Sequence, residues 1–85
     1  MEEERRIGVI GIFLSNPTKN VSKVNDILSA HADVIIGRMG IPYRQRNINI
    51  ISIIVDGSTD EIGALSGKLG NIEGVRAKSM LSPQD

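Results

Sequence analysis

A side chain that does chemistry needs a partner beside it, and the candidates in this 85-residue chain are few. His31 is the only histidine. Base catalysis or metal ligation would need a nucleophile or further ligands near it. Its place at the end of a helical pattern is already accounted for by the negative end of the helix dipole. Asp56, Asp60 and Glu61 cluster ahead of a second helical pattern, and paired carboxylates can hold a hard cation. Helix capping and the dipole explain two of them without an ion. Arg38, Arg44 and Arg46 surround Tyr43, a composition that can bind an anion or stack a base, and that equally suits a solvated hairpin tip. Gly8-Val9-Ile10-Gly11 has the glycines of a phosphate loop, but it lies inside an apolar run rather than after one. There is no cysteine, so thiol nucleophiles, thiolate metal sites and disulfides are excluded. We therefore expect a protein that is not an enzyme, with no catalytic residues, no metal and no cofactor.

The elements that would position these groups are legible from periodicity. Residues 7–14 (IGVIGIFL) read as a buried strand. Ser15-Asn16-Pro17 ends it, with Asn16 placed to cap the next helix by its side chain and Pro17 at the first helical position. Val21, Val24, Ile27 and Leu28 then recur at helical spacing through residues 17–31. Residues 33–39 form a second strand, which Gly40 and Pro42 end, and residues 40–47 make a polar connection. Residues 48–55 (INIISIIV) are the densest β-branched stretch. Ser58-Thr59-Asp60-Glu61 is a capping box, followed by a helix face of Ile62, Leu65 and Leu69. Gly70 suits a left-handed helix terminus. Residues 74–81 give a last strand. The charged residues 2–6 should fray or lead into the first strand, and the tail 82–85 should be loose.

This order, β-α-β-β-α-β, makes the chain a single α+β domain over residues 1–85, with an ordered core of about 6–81. The expected fold is the ferredoxin-like sandwich, with an antiparallel sheet in the order 4-1-3-2 and both helices on one face. With Phe13 and Tyr43 the only aromatics, the core must be aliphatic. Helices cover one face only, yet both parities of the first and third strands are apolar. One set, either Ile48, Ile50 and Ile54 or Ile51, Ile53 and Val55, must point away from them. Burial by self-association, as a dimer or tetramer, is the simplest resolution. Gly63 and Gly67, four apart on the second helix, each cost up to about 1 kcal/mol against alanine. Close packing of the helix on the sheet within the subunit, helix contact across an interface or access for a ligand would offset that cost.

Composition excludes more. Ten basic residues balance ten acidic ones, so no long-range positive field favours nucleic acid or an acidic membrane. No apolar run approaches the roughly 20 residues that span a bilayer, and a cytoplasmic protein is expected. Among proteins of this fold, RNA-recognition motifs need stacking aromatics on the central strands, metal chaperones need two cysteines, and acylphosphatases need an arginine in the turn after the first strand. The chain lacks each of these sets.

The stretches 37–42 (GRMGIP), 60–70 (DEIGALSGKLG) and 74–78 (GVRAK) resemble those of the iron-only hydrogenase system regulators, small bacterial proteins with an ACT-like fold. The resemblance spans about residues 6–81 and implies a regulatory role in that system. In the wider ACT-like group, which includes the C-terminal domain of nickel-responsive repressors, oligomers bind small effectors at subunit interfaces. Their nickel site, built from several histidines and a cysteine, does not carry over. The effector often contacts the turn after the first strand, which implies Ser15, Asn16, Thr18 and Asn20 here. Together with Arg38, Gly40 and Tyr43 of the arginine-rich segment, these form the expected ligand site. The expected partners are other copies of the chain, a small effector, and a hydrogenase-system protein or transcription factor through which any control of transcription would run. An interaction module without a small ligand is the alternative.

Overall fold

β-Branched and aliphatic residues dominate the segments that form the sheet. Strand β1 (Arg6–Ser15) and strand β3 (Ile48–Gly57) pair antiparallel from Arg6 opposite Gly57 to Ser15 opposite Ile48. Strand β4 (Val75–Leu81) pairs with the other side of β1, and β2 (Ile35–Tyr43) with the other side of β3. The order is β2-β3-β1-β4, the expected order counted from the opposite edge, with the two most apolar strands in the centre. Helix α1 (Pro17–Ala30) follows β1 and helix α2 (Thr59–Gly70) follows β3. The computed structural model describes residues 4–83. The expectations for residues 2–3 and 84–85 fall outside the described residues; Arg6 leads into β1, and Ser82 is not loose, its N–H donating to Ile7 O at 2.7 Å.

The chain is thus α+β, a four-stranded antiparallel sheet with two helices. Two short 3₁₀ turns, Ala32–Val34 and Arg44–Arg46, flank β2 and interrupt the simpler alternation read from sequence.

One core holds the layers together. Ile10, Ile12 and Leu14 of β1 and Ile51, Ile53 and Val55 of β3 meet Val24 and Leu28 of α1 and Ile62, Leu65 and Leu69 of α2. All of its buried apolar side chains are aliphatic, and Phe13 and Tyr43 both lie outside it. Each large aliphatic side chain so buried contributes roughly 1.5–3 kcal/mol. The parity question is settled: Ile10-Ile12-Leu14 and Ile51-Ile53-Val55 face the helices, so Ile48, Ile50 and Ile54 point away.

Several local expectations are corrected. Gly40 and Pro42 do not end β2, which runs on to Tyr43. It is an edge strand, where a proline's missing N–H can face solvent at no cost to the ladder. Gly70 is the last residue of α2, and the one glycine with positive φ among the described residues is Gly74, at 84°. Gly63 and Gly67 meet no close approach within the subunit: a Cβ on either would have nothing within 4 Å.

Candidate functional site

The turn after β1 meets the turn between β2 and β3 at one end of the sheet, and an asparagine occupies each. Asn16 (φ 50°, ψ 61°) and Asn47 (φ 49°, ψ 48°) are the two non-glycine residues with positive φ among the described residues. Asparagine tolerates this left-handed region better than most residues. Their side chains touch, Asn47 Nδ2 donating to Asn16 Oδ1 at 3.4 Å. Asn16 therefore does not cap α1 through its side chain as expected; its backbone oxygen accepts from Lys19 N at 3.0 Å. The left-handed backbone departs from the extended conformation of a side-chain N-cap. Beside the pair lies an open cleft of about 350 Å³ lined by Pro17, Val21, Pro42, Arg44, Asn47 and Asn49. Asn47 lies outside the expected ligand site, and Arg44 enters the expectation only through the anion-binding reading of the arginine-rich segment around Tyr43. The signal for Asn47 was its type, an asparagine between a turn and a strand.

Of the expected residues, Ser15 is exposed at the end of β1, with its backbone N–H bound to Gly74 O at 2.8 Å. Asn20 is buried, and its Nδ2 donates to Ser15 O at 3.4 Å, tying α1 to the end of β1. Thr18 lies in the first turn of α1, and its side chain is outside the described residues. Gly40 and Arg38 sit opposite Ile51 and Ile53, which face the helices, whereas Tyr43 sits opposite Ile48 on the other face. Arg38 is also five residues from Tyr43, about 17 Å along a strand. Its Nη2 donates to Asn25 Oδ1 at 3.3 Å, beside a shallow cleft with Leu28, Ser29, Ala32 and Ile35. Arg38 thus reaches water and a carboxamide. The strand-one turn comes together with the Tyr43–Asn47 turn, and Arg38 and Gly40 stay apart from both.

The other candidates for chemistry have structural partners. His31 is the C-cap residue of α1, and its Nε2 lies 3.2 Å from Lys68 Nζ. Asp56 pairs with Arg5 at 3.2 Å. The capping box forms: Glu61 N donates to Ser58 Oγ at 3.1 Å and Ser58 N to Glu61 Oε1 at 2.8 Å. The bond from the Ser58 N–H, then the one with its side chain, hold the Glu61 carboxyl below the usual carboxylate range. No group of His, Asp and Glu side chains among the described residues has a metal-binding arrangement. Gly8 is drawn against β4, where a Cβ would lie 2.8 Å from Leu81 Cδ2 and 3.0 Å from Met80 O. This glycine serves strand packing.

The sheet face away from the helices is the largest feature left. Ile7, Val9 and Phe13 of β1, Ile54 of β3, Met39, Ile41 and Tyr43 of β2 and Met80 of β4 are all exposed there, Met39 and Met80 at 64% and 71%. The register sets them in rows across the strands: Ile41-Ile50-Phe13-Arg76, Met39-Ser52-Gly11-Lys78 and Gly37-Ile54-Val9-Met80. A cleft of about 400 Å³ between Phe13, Ser15, Ile48 and Arg76 joins this face to the asparagine corner.

The profile of the family described as "TM1266-like: Iron-only hydrogenase system regulator, putative" matches residues 6–79. The chain belongs to this family. A solved structure, that of the "uncharacterized protein TM1266 from Thermotoga maritima", superposes with a TM-score of 0.88 at 38% sequence identity. The match covers 92% of this chain and 98% of that one. No curated protein matches the chain. The residues that carried the resemblance fall in β2, in α2 and at the start of β4, with Gly74 just ahead of that strand, all inside the matched span.

Proposed function

We propose that this member of the TM1266-like family is a non-enzymatic regulator of the iron-only hydrogenase system, working as a homo-oligomer that binds a small effector at a subunit interface. The observation that carries this reading is the apolar sheet face, broader than the scattered exposed residues of a monomer. We read the fold as ferredoxin-like and ACT-like, with the two 3₁₀ turns added around β2. The effector site in this reading is the asparagine corner. Ser15, Asn16 and Asn47 are fixed by the backbone, Thr18 and Asn20 belong to the first turn of α1, and Arg44 and Arg76 offer charge to a small anion. Ser15 borders the exposed face, so an effector seated there would touch a second subunit. The protein partner in this reading is another component of the hydrogenase system or a transcription factor. No helix of the described residues is long and apolar enough to cross a membrane, in keeping with action in the cytoplasm.

Melting curves of the purified chain against small carboxylates and phosphates test the effector. A native-state ligand raises the melting temperature by mass action, and Arg44→Ala should abolish the shift. An oligomer that no such compound stabilises would instead be an interaction module without a small ligand. A chain that sediments only as 9.2 kDa would sink the oligomeric reading.

A further inference from the structure

Resting on the proposal that the chain self-associates, we infer the geometry of the pair: two copies pack open face to open face about a two-fold axis running along the strands. The face carries both halves of a complementary surface. At its β4 edge stand Arg76 and Lys78, exposed and with no partner among the described residues. The β2 edge presents Met39, Ile41 and Tyr43 and no charge from the strand itself. Arg44, just beyond Tyr43, lines the cleft with Pro17 and Val21 of α1.

An axis along the strands sets β4 of one copy over β2 of the other and keeps each row over itself. Arg76 then lies over the partner's Ile41 and within reach of its Tyr43 ring, a cation–π arrangement. Lys78 lies over the partner's Met39, with its ammonium free to reach the rim. Met80, the most exposed of these side chains, meets the hollow at the partner's Gly37, where a Cβ would find only Ile54 Cδ1, at 4.0 Å. Gly11 and Ser52 cross at the centre, where small residues let the sheets approach. An axis across the strands would instead stack β4 on β4, bringing Lys78 over Lys78 and gathering both copies' cations along one rim. Edge-to-edge pairing would leave the apolar face in water. A second copy suits the face for two further reasons. The chain has no net charge, so copies do not repel. Four strands about 4.8 Å apart, paired over seven to ten residues rising about 3.4 Å each, present roughly 450–650 Å² per copy. The pair of copies then buries about 900–1,300 Å², which reaches the lower range of specific interfaces.

The chain has no cysteine, which makes the geometry directly testable. Met39→Cys and Met80→Cys place single thiols on opposite edges and keep both cations. With sheets about 10 Å apart, the thiols of unlike variants come within about 12 Å across the pair, and those of like variants stay about 17 Å apart. A short bis-maleimide should therefore link chains in a re-equilibrated mixture of the two variants and link neither variant alone. Linkage of Met39→Cys to itself would establish the crossed axis and overturn the inference while leaving self-association intact. An oligomer that links in no combination would show that another surface mediates it, also overturning the inference. Sedimentation of both variants and the parent as monomers would remove the reading on which it rests.

Discussion

The carboxylate of Glu61 and the hydroxyl of Ser58 illustrate how local chemistry that resembles a site can serve the fold. Each satisfies an amide at the start of α2 that would otherwise lack a partner. Ser58→Ala should lower stability by about 1 kcal/mol, and a chemical-denaturation midpoint equal to the parent's would show that the cap contributes nothing. The same contact has a pH signature. Bonds with Ser58 lower the Glu61 pKa in the folded chain, so the folded state binds this proton less readily than the unfolded one. The stability it contributes is complete above the unfolded carboxyl value, near 4.3, and is lost as pH falls through the lower folded value. Glu61→Gln keeps an oxygen acceptor but cannot titrate. Its stability should be flatter with acid than the parent's, read from midpoints between about pH 6 and pH 3. Equal slopes would assign the acid response to other carboxylates.

At the scale of elements, the glycines divide into those that the packing requires and those that it does not. Gly8 lies where β4 approaches β1, with Met80 O at 3.0 Å from a built Cβ. A backbone atom cannot swing aside as a side chain can, so Gly8→Ala should cost about 1 kcal/mol or more. Gly63 and Gly67 lie on the exposed side of α2 with open space above them. Gly63→Ala and Gly67→Ala should each raise the stability of the isolated subunit, by up to about 1 kcal/mol. If either variant instead weakens association, an interface uses that bare helix surface. The sequence distinguished the strands and helices well because β1 and β3 are dense in β-branched residues and α2 carries its own start signal. It could not assign parity, since Ile7-Val9-Phe13 and Ile10-Ile12-Leu14 are equally apolar and only the placement of the helices tells them apart. The length of β2 was hidden because Gly40 and Pro42 break a central strand but not an edge. The site was half legible for a related reason. Asn16 stood out beside Pro17, whereas its contact with Asn47 depends on two turns that are distant in sequence. Arg38 and Tyr43, close in sequence, fall on opposite faces because residues an odd number apart on a strand point in opposite directions.

For the whole molecule, the imbalance between the two sheet faces is the dominant fact. One face is closed by helices over an aliphatic core, and the other presents apolar residues to solvent across all four strands. Ile54 sits near the middle of that open face, opposite Val9 and Gly37, with 44% of its surface exposed. In a lone subunit Ile54→Lys is mild, because the lysine stem can lie along the sheet while its ammonium stays in water. In a face-to-face pair the same change places an ammonium in each half of a dry interface, where an unpaired buried charge is strongly destabilising. The two situations therefore separate cleanly. The parent should sediment above 9.2 kDa at micromolar concentration and melt at a temperature that rises with protein concentration, as folding linked to association requires. Ile54→Lys should sediment as the single chain, keep its far-ultraviolet circular dichroism, and melt at a temperature independent of concentration. Were the variant to remain oligomeric with an unchanged concentration dependence, the open face would not be the surface through which copies meet.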